Sequence, residues 1–213
     1  MRFPELPSLV RSLANAVQET AFDLRYGVNT RGDVTLDALR IDSPNAVHGI
    51  KYSPTHPRSA RRVFDDLPID DFSRYVFIDF GSGKGRMLLR ASERPFQKVI
   101  GVEFAPELHR IAVENIRRYR NPRQQCRDVV SLNQDAAEYE FPISDAVLYL
   151  FFPFQKAVMA PLLQRLDQSL RDHPRAVFLI YMNPELASLL DEMRCMELFR
   201  VTRYYRVYRS RRG

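Results

Sequence analysis

Short apolar runs alternate with longer amphipathic segments along most of this chain. The short runs are rich in β-branched and aromatic residues and predict strands, whereas apolar residues at three- and four-residue spacings predict helices. Strands that alternate with helices predict an α/β fold with a mainly parallel sheet and helices on both faces. The predicted strands are 75–79, 98–103, 129–133, 145–154, 176–181 and a terminal pair, 197–201 and 204–208; the helices between them are 86–92, 106–120, 159–171 and 184–193.

The N-terminal part of the chain has a different pattern. Apolar spacing predicts an amphipathic helix at 7–24, turn-rich stretches follow it, and a second helix is predicted at 58–67. We therefore expect two parts. Residues 1–67 form a helical and loop extension that serves as a lid or acceptor pocket, and residues 68–213 form a ligand-binding core.

A glycine-rich turn follows the first predicted strand. Gly81, Gly83 and Gly85 form the pattern G-x-G-x-G shortly after Asp79. Because glycine has no Cβ, the backbone can turn sharply there and approach a ligand closely, and the next helix presents free N–H groups to that ligand. These features predict a nucleotide-type cofactor site. A dinucleotide fold favours G-x-G-x-x-G, and this chain has Arg86 at the third glycine position, which disfavours a pyrophosphate cradle.

Acidic residues occur at the carboxyl ends of the first three predicted strands, where ligands bind in open parallel sheets. Glu103 lies 18 residues after Gly85, and a carboxylate in that position can accept both hydroxyls of a ribose. The alternative is an ordinary surface glutamate. Asp135 can accept an exocyclic amine or can simply start a turn, and Asp79 can hold an ammonium group or only organise the loop.

A proline-containing loop precedes the predicted core. Tyr52, Thr55 and His56 lie in it, and the chain continues from there into the first strand. We expect these three side chains near the mouth of the cofactor site. The alternative is that they only order an irregular loop.

The composition favours anionic partners and gives no sign of a metal site. Lys and Arg exceed Asp and Glu by 32 − 26 = 6, and the pI is about 9.5. Solvated surface arginines explain this charge as well as a nucleic-acid surface does, because no recognisable nucleic-acid-binding motif accompanies it. Cys126 and Cys195 are too few for a disulfide framework or a cysteine zinc site. With no membrane span and no secretory signal pattern, we expect a cytoplasmic protein, and we expect residues 209–213 to be a frayed basic end.

Three segments occur together at the ends of the first three strands: Ile78-Asp-Phe-Gly-Ser-Gly-Lys-Gly-Arg86, Ile100-Gly-Val-Glu-Phe-Ala-Pro-Glu107 and Asn133-Gln-Asp-Ala136. In combination they resemble the cofactor motifs of the class I, Rossmann-like S-adenosylmethionine-dependent methyltransferases, over about residues 50–210. This resemblance implies a seven-stranded sheet of order 3-2-1-4-5-7-6 whose seventh strand is antiparallel.

The resemblance also implies how the residues would bind S-adenosylmethionine, whose product is S-adenosylhomocysteine. Phe104 would cover one face of the adenine ring of S-adenosylmethionine, and Asp135 and Ala136 would contact the edge of that ring. Glu103 would bind the ribose. The methionine portion would lie along the glycine turn. The complete predicted cofactor site is Tyr52, Thr55, Asp79, Gly81, Ser82, Gly83, Gly85, Glu103, Phe104, Asp135, Ala136 and Phe151.

The end of the fourth strand departs from the family pattern. Amine-methylating members commonly have Asp/Asn-Pro-Pro-Tyr/Phe there, and this chain has Phe151-Phe-Pro-Phe154, with no polar side chain. The carbonyls of Phe151 or Phe152 can accept from an amine, and the rings can stabilise a cation; the alternative is that the rings only pack. Tyr52 and Phe152 are the predicted catalytic residues, and His56, Tyr52 or Tyr149 can take a proton where the acceptor has to lose one.

Three hypotheses about function follow. The leading one is a methyltransferase that acts on an amine or another heteroatom of a protein side chain, with lysine as one example, or of a small molecule. The second is a nucleic-acid methyltransferase, which the basic charge favours. The third is a non-catalytic protein that binds S-adenosylmethionine as a sensor or partner subunit.

Overall fold

A single seven-stranded sheet organises the chain, in a computed structural model that describes residues 8–35, 52–55, 57–151 and 154–211. The strand order is β3-β2-β1-β4-β5-β7-β6, the order that the resemblance implies. The first five strands are parallel, and β7 pairs antiparallel with both β5 and β6. The strands are β1 Tyr75–Phe80, β2 Lys98–Glu103, β3 Val129–Asn133, β4 Asp145–Phe151, β5 Val177–Met182, β6 Met196–Val201 and β7 Tyr205–Ser210.

Helices cover both faces of the sheet because its inner strands are apolar on both sides. In β1, Ile78 packs into a core cluster with residues of α5, while the adjacent Phe77 packs into a second cluster with residues of α2 and α3. The predicted α/β architecture is thereby confirmed. The helices are α1 Ser8–Tyr26, α2 Pro57–Asp65, α3 Arg86–Ala91, α4 Pro106–Arg118, α5 Lys156–Asp172 and α6 Ala187–Asp191, with 3₁₀ turns at Phe72–Arg74 and Ala136–Glu138.

The C-terminal prediction is wrong for its first residues. Arg209 and Ser210 belong to β7, and Arg209 pairs with Phe178 of β5. The Ser210 hydroxyl accepts from Val177 N at 2.9 Å and donates to Arg175 O at 2.8 Å. Pairing with an inner strand orders this basic segment, which composition alone marked as frayed.

The segment after α1 is attached to the core by a small cluster and a carboxylate cap. Phe22 and Val28 pack with Leu89 of α3 and Tyr119 after α4. The buried Asp23 carboxylate accepts from Thr30 N at 2.8 Å and Thr30 Oγ1 at 2.6 Å, and it also accepts from the next backbone N–H. This places the turn after α1 beside the start of α3. Among the described helices, none is long and apolar enough to cross a membrane.

Candidate functional site

The glycine turn between β1 and α3 turns sharply, as its sequence predicts, and its glycines have left-handed backbone angles. Gly81, Gly83 and Gly85 have φ angles of 74°, 54° and 82°, a region that is costly for residues with a Cβ. Gly81 N and Ser82 N both donate to Val102 O, at 2.9 and 3.2 Å, which ties the turn to β2. The turn therefore lies across the carboxyl ends of β1 and β2.

Two acidic side chains lie under this turn and are almost completely buried. Glu103 accepts from Gly83 N through Oε2 at 2.7 Å and from Ala105 N through Oε1 at 2.9 Å. Burial raises the pKa of Glu103 to about 7, although these backbone donors act in the opposite direction. Burial, and then the nearby Glu103 charge, raise the pKa of Asp79 well above its ordinary value. This pair makes the site favourable for a cation.

A narrow, shallow cleft lies at the ends of β2 and β3, next in sequence to Glu103. The Asp135 carboxylate accepts from Ala137 N at 2.9 Å, which fixes the turn that follows β3. The Asn133 amide donates to Glu103 O and Phe104 O, at 2.9 and 3.1 Å, and holds the neighbouring chain in place. The cleft is lined by Val102, Phe104, Gln134, Asp135, Ala136, Phe154 and Val158.

The Tyr52 ring lies directly against the glycine turn. A Cβ added to Gly83 would overlap this ring. The Tyr52 hydroxyl donates to Thr30 O at 2.8 Å, and burial raises its pKa. Lys84 Nζ lies 5.3 Å from the ring centre and donates to Arg31 O at 2.7 Å. Arg31, which precedes residues 36–51, and Tyr52, which follows them, thus both contact the glycine turn.

Arg86 is a site residue that the sequence did not identify. Its side chain is only 2% exposed, its Nε donates to Thr30 Oγ1 at 2.8 Å, and its Nη1 donates to Thr55 O at 3.2 Å. Nη1 also pairs with Glu19 of α1 at 3.3 Å, while Nη2 has no hydrogen-bond partner among the residues that the structure describes. The feature of the sequence that could have identified Arg86 is its place as the first residue of a helix, Arg86–Ala91, that is otherwise mostly apolar.

Thr55 connects the proline-containing loop to the end of β4. Its hydroxyl forms a 2.8 Å hydrogen bond with the Tyr149 hydroxyl, and Tyr149 pairs with Asp79 in the sheet register. Burial raises the pKa of Tyr149 well above its ordinary value, so its hydroxyl stays protonated at neutral pH. The loop is therefore held over β1 and β4 by a neutral hydrogen bond.

The far side of this edge carries residues that the sequence did not single out. Asn183, directly after β5, has a φ of 47° and donates from its backbone N to Tyr204 O at 2.9 Å. Tyr204 is 51% exposed, and the Arg203 guanidinium lies 5.6 Å from the centre of its ring. Two features of the sequence could have identified these residues: an Asn-Pro pair directly after a strand, and a tyrosine in a hairpin turn.

Comparison with known proteins identifies the fold. No protein-family model and no curated protein sequence matches this chain. A candidate RNA methyltransferase from Pyrococcus horikoshii superposes with a TM-score of 0.56 at 17% identity, over 84% of this chain and 96% of that one. The chain has the fold of the class I methyltransferases. The fold that the sequence motifs imply is thereby confirmed.

Two further solved structures resemble the chain to a similar degree. The precorrin-6y C5,15-methyltransferase from Geobacter metallireducens has a TM-score of 0.54 at 13% identity, over 87% of this chain and 100% of that one. The 23S rRNA methyltransferase ErmE has a TM-score of 0.52 at 11% identity, over 75% and 69%. At these identities the likeness concerns the fold.

In this class I fold, most residues of the predicted cofactor site lie at one edge of the sheet. The glycine turn, Asp79 and Glu103 are in contact or adjacent, and the Phe104–Asp135–Ala136 cleft continues from them. Phe151 ends β4 half-buried, and Phe154 is buried in the core beside the cleft. The remaining predicted residues, His56 and Phe152, lie outside the described residues, as does Pro153.

Proposed function

We propose that this chain is an S-adenosylmethionine-dependent methyltransferase. The observation that carries the proposal is the order in which three surfaces follow one another along the carboxyl edge of the sheet. The left-handed glycine turn comes first, the buried Glu103 carboxyl is next, and the Phe104–Asp135 cleft follows. A methionine portion, a ribose and an adenine follow one another in the same order along S-adenosylmethionine.

The chemistry of the site fits this donor. Each oxygen of an ionised Glu103 accepts one backbone N–H, which leaves acceptor capacity for ribose hydroxyls. Asp79 and Glu103 are buried carboxyl groups with raised pKa values, so a ligand with positive charge stabilises their ionised forms. S-adenosylmethionine has two such charges, on its ammonium and sulfonium groups.

The donor, when bound, supplies a methyl group on a sulfonium. In such a transfer the lone pair of an acceptor heteroatom would take the methyl group, the donor would leave as a neutral thioether, and a proton of the acceptor would pass to solvent or to a nearby base. The protein aligns the acceptor and excludes water, and such positioning supplies much of the rate enhancement in two-substrate reactions. Tyr52 and Phe151 are the described side chains that we assign to this role.

We assign a lid role to the N-terminal segment, within an extension of residues 1–67. Tyr52 contacts the turn, Arg86 holds Thr30 and Thr55, and Lys84 holds Arg31. A donor lying along the turn would therefore contact Tyr52 directly. We infer that this segment closes over the methionine portion and forms one wall of the acceptor pocket.

The acceptor has two candidate classes. An amine or other heteroatom of a protein side chain or small molecule fits the apolar end of β4 at Phe151, because a long apolar stem such as that of lysine packs against aromatic rings. A nucleic acid fits the basic surface and the exposed Arg203–Tyr204 pair.

Isothermal titration of the full chain with S-adenosylmethionine tests the proposal. We expect binding, and we expect Glu103→Gln to weaken it about ten- to hundred-fold, because hydrogen bonds to a charged group are lost. Glu140→Gln, an exposed glutamate after the cleft, is the matched control and leaves affinity unchanged. Absence of binding by the unmodified chain would refute the proposal.

Transfer of a labelled methyl group into cell extract separates an enzyme from a protein that only binds the donor. The purified chain is expected to label extract, and prior treatment of the extract with ribonuclease or with protease identifies the acceptor class. Binding without transfer into any fraction would favour the non-catalytic alternative.

A further inference from the structure

A group of polar and aromatic side chains lies on the same edge of the sheet as the glycine turn. Asn183 follows Met182, whose register partner in β4 is Phe151. The β6–β7 turn reaches this edge because β7 runs antiparallel to both β5 and β6. Asn183, Arg203 and Tyr204, which we call the rim platform, therefore lie at the same edge of the sheet as the end of β4. Asn183 follows β5, the neighbour of β4, and Arg203 and Tyr204 precede β7, one strand farther away, with neighbouring strands about 5 Å apart.

The turn that carries the rim platform is held rigidly. Thr202 Oγ1 accepts from Tyr204 N at 3.2 Å and from Tyr205 N at 3.0 Å, and it donates to Tyr205 O at 2.9 Å. Asn183 N binds the same turn through Tyr204 O. The Tyr204 ring is thus presented to solvent by an ordered backbone, which lowers the entropic cost of binding a ligand.

The turn that carries the platform is basic. Residues 200–206 contain three arginines and no acidic residue. Arg200 and Arg206 are paired with Asp66 and Asp191 of other segments, respectively. Arg203 lies at the tip of the turn, against the Tyr204 ring. An exposed aromatic ring, a guanidinium and a carboxamide are the side-chain types that bind a base face, a phosphate and a base edge.

We propose that the rim platform binds a single-stranded nucleic acid and presents one of its nucleotides to the methyl donor. This rests on the proposed methyltransferase function and selects its acceptor class. Tyr204 stacks on a base, Arg203 contacts a phosphate, and the Asn183 amide contacts a base edge. The positive charge of Arg203 at the tip of the turn favours an anionic strand there over a cationic peptide.

Fluorescence anisotropy of a labelled single-stranded RNA of about 12 nucleotides tests the platform, with S-adenosylhomocysteine present. We expect the full chain to bind with a salt-dependent Kd between about 50 and 200 mM salt. Tyr204→Ala is expected to weaken binding about five-fold or more, and Tyr204→Phe, which keeps the stacking face, is expected to bind as the unmodified chain does. Arg203→Ala is expected to lower the slope of log K against log salt by about 0.7.

Matched controls separate these effects from general loss of charge or fold. Arg171→Ala removes an exposed arginine at the end of α5, on the opposite edge of the sheet, and leaves the affinity close to that of the unmodified chain. Asn183→Gly keeps a residue that tolerates the 47° φ and removes only the amide, so it changes base preference without unfolding.

The outcomes separate this inference from the function on which it rests. Two results would overturn the rim platform and leave the methyltransferase proposal standing. The chain could bind the donor but no RNA at low salt, or the Tyr204→Ala and Arg203→Ala variants could bind RNA as tightly as the unmodified chain does. Labelling of protein by the chain in ribonuclease-treated extract, unaffected by Tyr204→Ala, overturns the rim platform as well. Absence of donor binding refutes both.

Discussion

The guanidinium of Arg86 donates from Nε to the hydroxyl of Thr30 at 2.8 Å, across 56 positions of sequence. The same side chain reaches Thr55 O and Glu19, so one buried cation contacts α1, the turn after it and the proline-containing loop. Because Arg86 is also the first residue of α3 after the glycine turn, the N-terminal segment and the turn share one anchor.

Replacement of this anchor is the first prediction. Arg86→Met is expected to lower the free energy of unfolding by about 1–3 kcal/mol, because buried acceptors on Thr30 and Thr55 lose their donor. Urea denaturation measures the loss, and limited proteolysis should cut near residue 31 sooner. Arg94→Met, which breaks a more exposed pair with Asp65, should cost less than about 1 kcal/mol. Equal losses in the two variants would contradict the anchoring role.

The contact between Gly83 and Tyr52 gives a second prediction. Gly83→Ala is expected to destabilise the chain by about 2 kcal/mol or more, because the methyl group overlaps the Tyr52 ring and φ is left-handed. Removing the ring with Tyr52→Ala should relieve the overlap but not the strain. A double-mutant cycle in urea should therefore show a favourable coupling. Strictly additive costs would show that the ring does not lie on the turn in solution.

Stability should depend on pH through Glu103. Its pKa is raised from 4.5 to about 7, so the folded chain holds this proton more tightly than the unfolded chain does. The stabilisation is fully present below about pH 4.5 and is lost as pH rises through about 7, a change of about 3 kcal/mol from this group. Asp79 shifts in the same direction. Glu103→Gln should flatten this part of the stability curve, and an unchanged curve would contradict the assignment.

Donor affinity should change with pH in the opposite sense. A cationic ligand favours the ionised form of Glu103, so its affinity should rise as pH increases through about 7, with release of protons. Titrations in buffers of different ionisation enthalpy measure that release. Binding of S-adenosylmethionine without proton release near pH 6 would show that Glu103 is already ionised or takes no part.

Tyr149 is expected to act by position and not as a base. Burial holds its pKa well above the neutral range, and its hydroxyl is bonded to Thr55. Tyr149→Phe should therefore leave the shape of the kcat–pH profile unchanged and raise the KM of the acceptor as the loop loosens. Loss of a basic limb from the profile would instead assign Tyr149 to proton transfer.

The sequence predicted the parts of the fold that depend on local pattern. Buried parallel strands such as β1 and β4 are continuous apolar runs, and the glycine turn follows from residues that lack a Cβ. The position of β7 between β5 and β6 came from the family resemblance, because no local pattern specifies which strands become neighbours. Pairing with β5 also explains why Arg209 is ordered.

The polar contacts of the N-terminal segment could not be predicted in the same way. Lys84 to Arg31 and Asn115 to Asn29 join residues 53 and 86 positions apart, and single hydrogen bonds of this kind leave no periodic signal. The rim platform was missed for a related reason. Tyr204 reaches the edge of the glycine turn only because β6 and β7 join the sheet beside β5.

The position of β7 also affects how the protein folds while it is being translated. β7 is the last of the seven strands in sequence, but it lies inside the sheet between β5 and β6. During translation, β5 therefore emerges with one edge unpaired, and β6 has no partner until residues 205–210 leave the ribosome. Unpaired strand edges are sites of aggregation. A nascent chain halted before β7 would accordingly need chaperone protection, although its glycine turn had already been made.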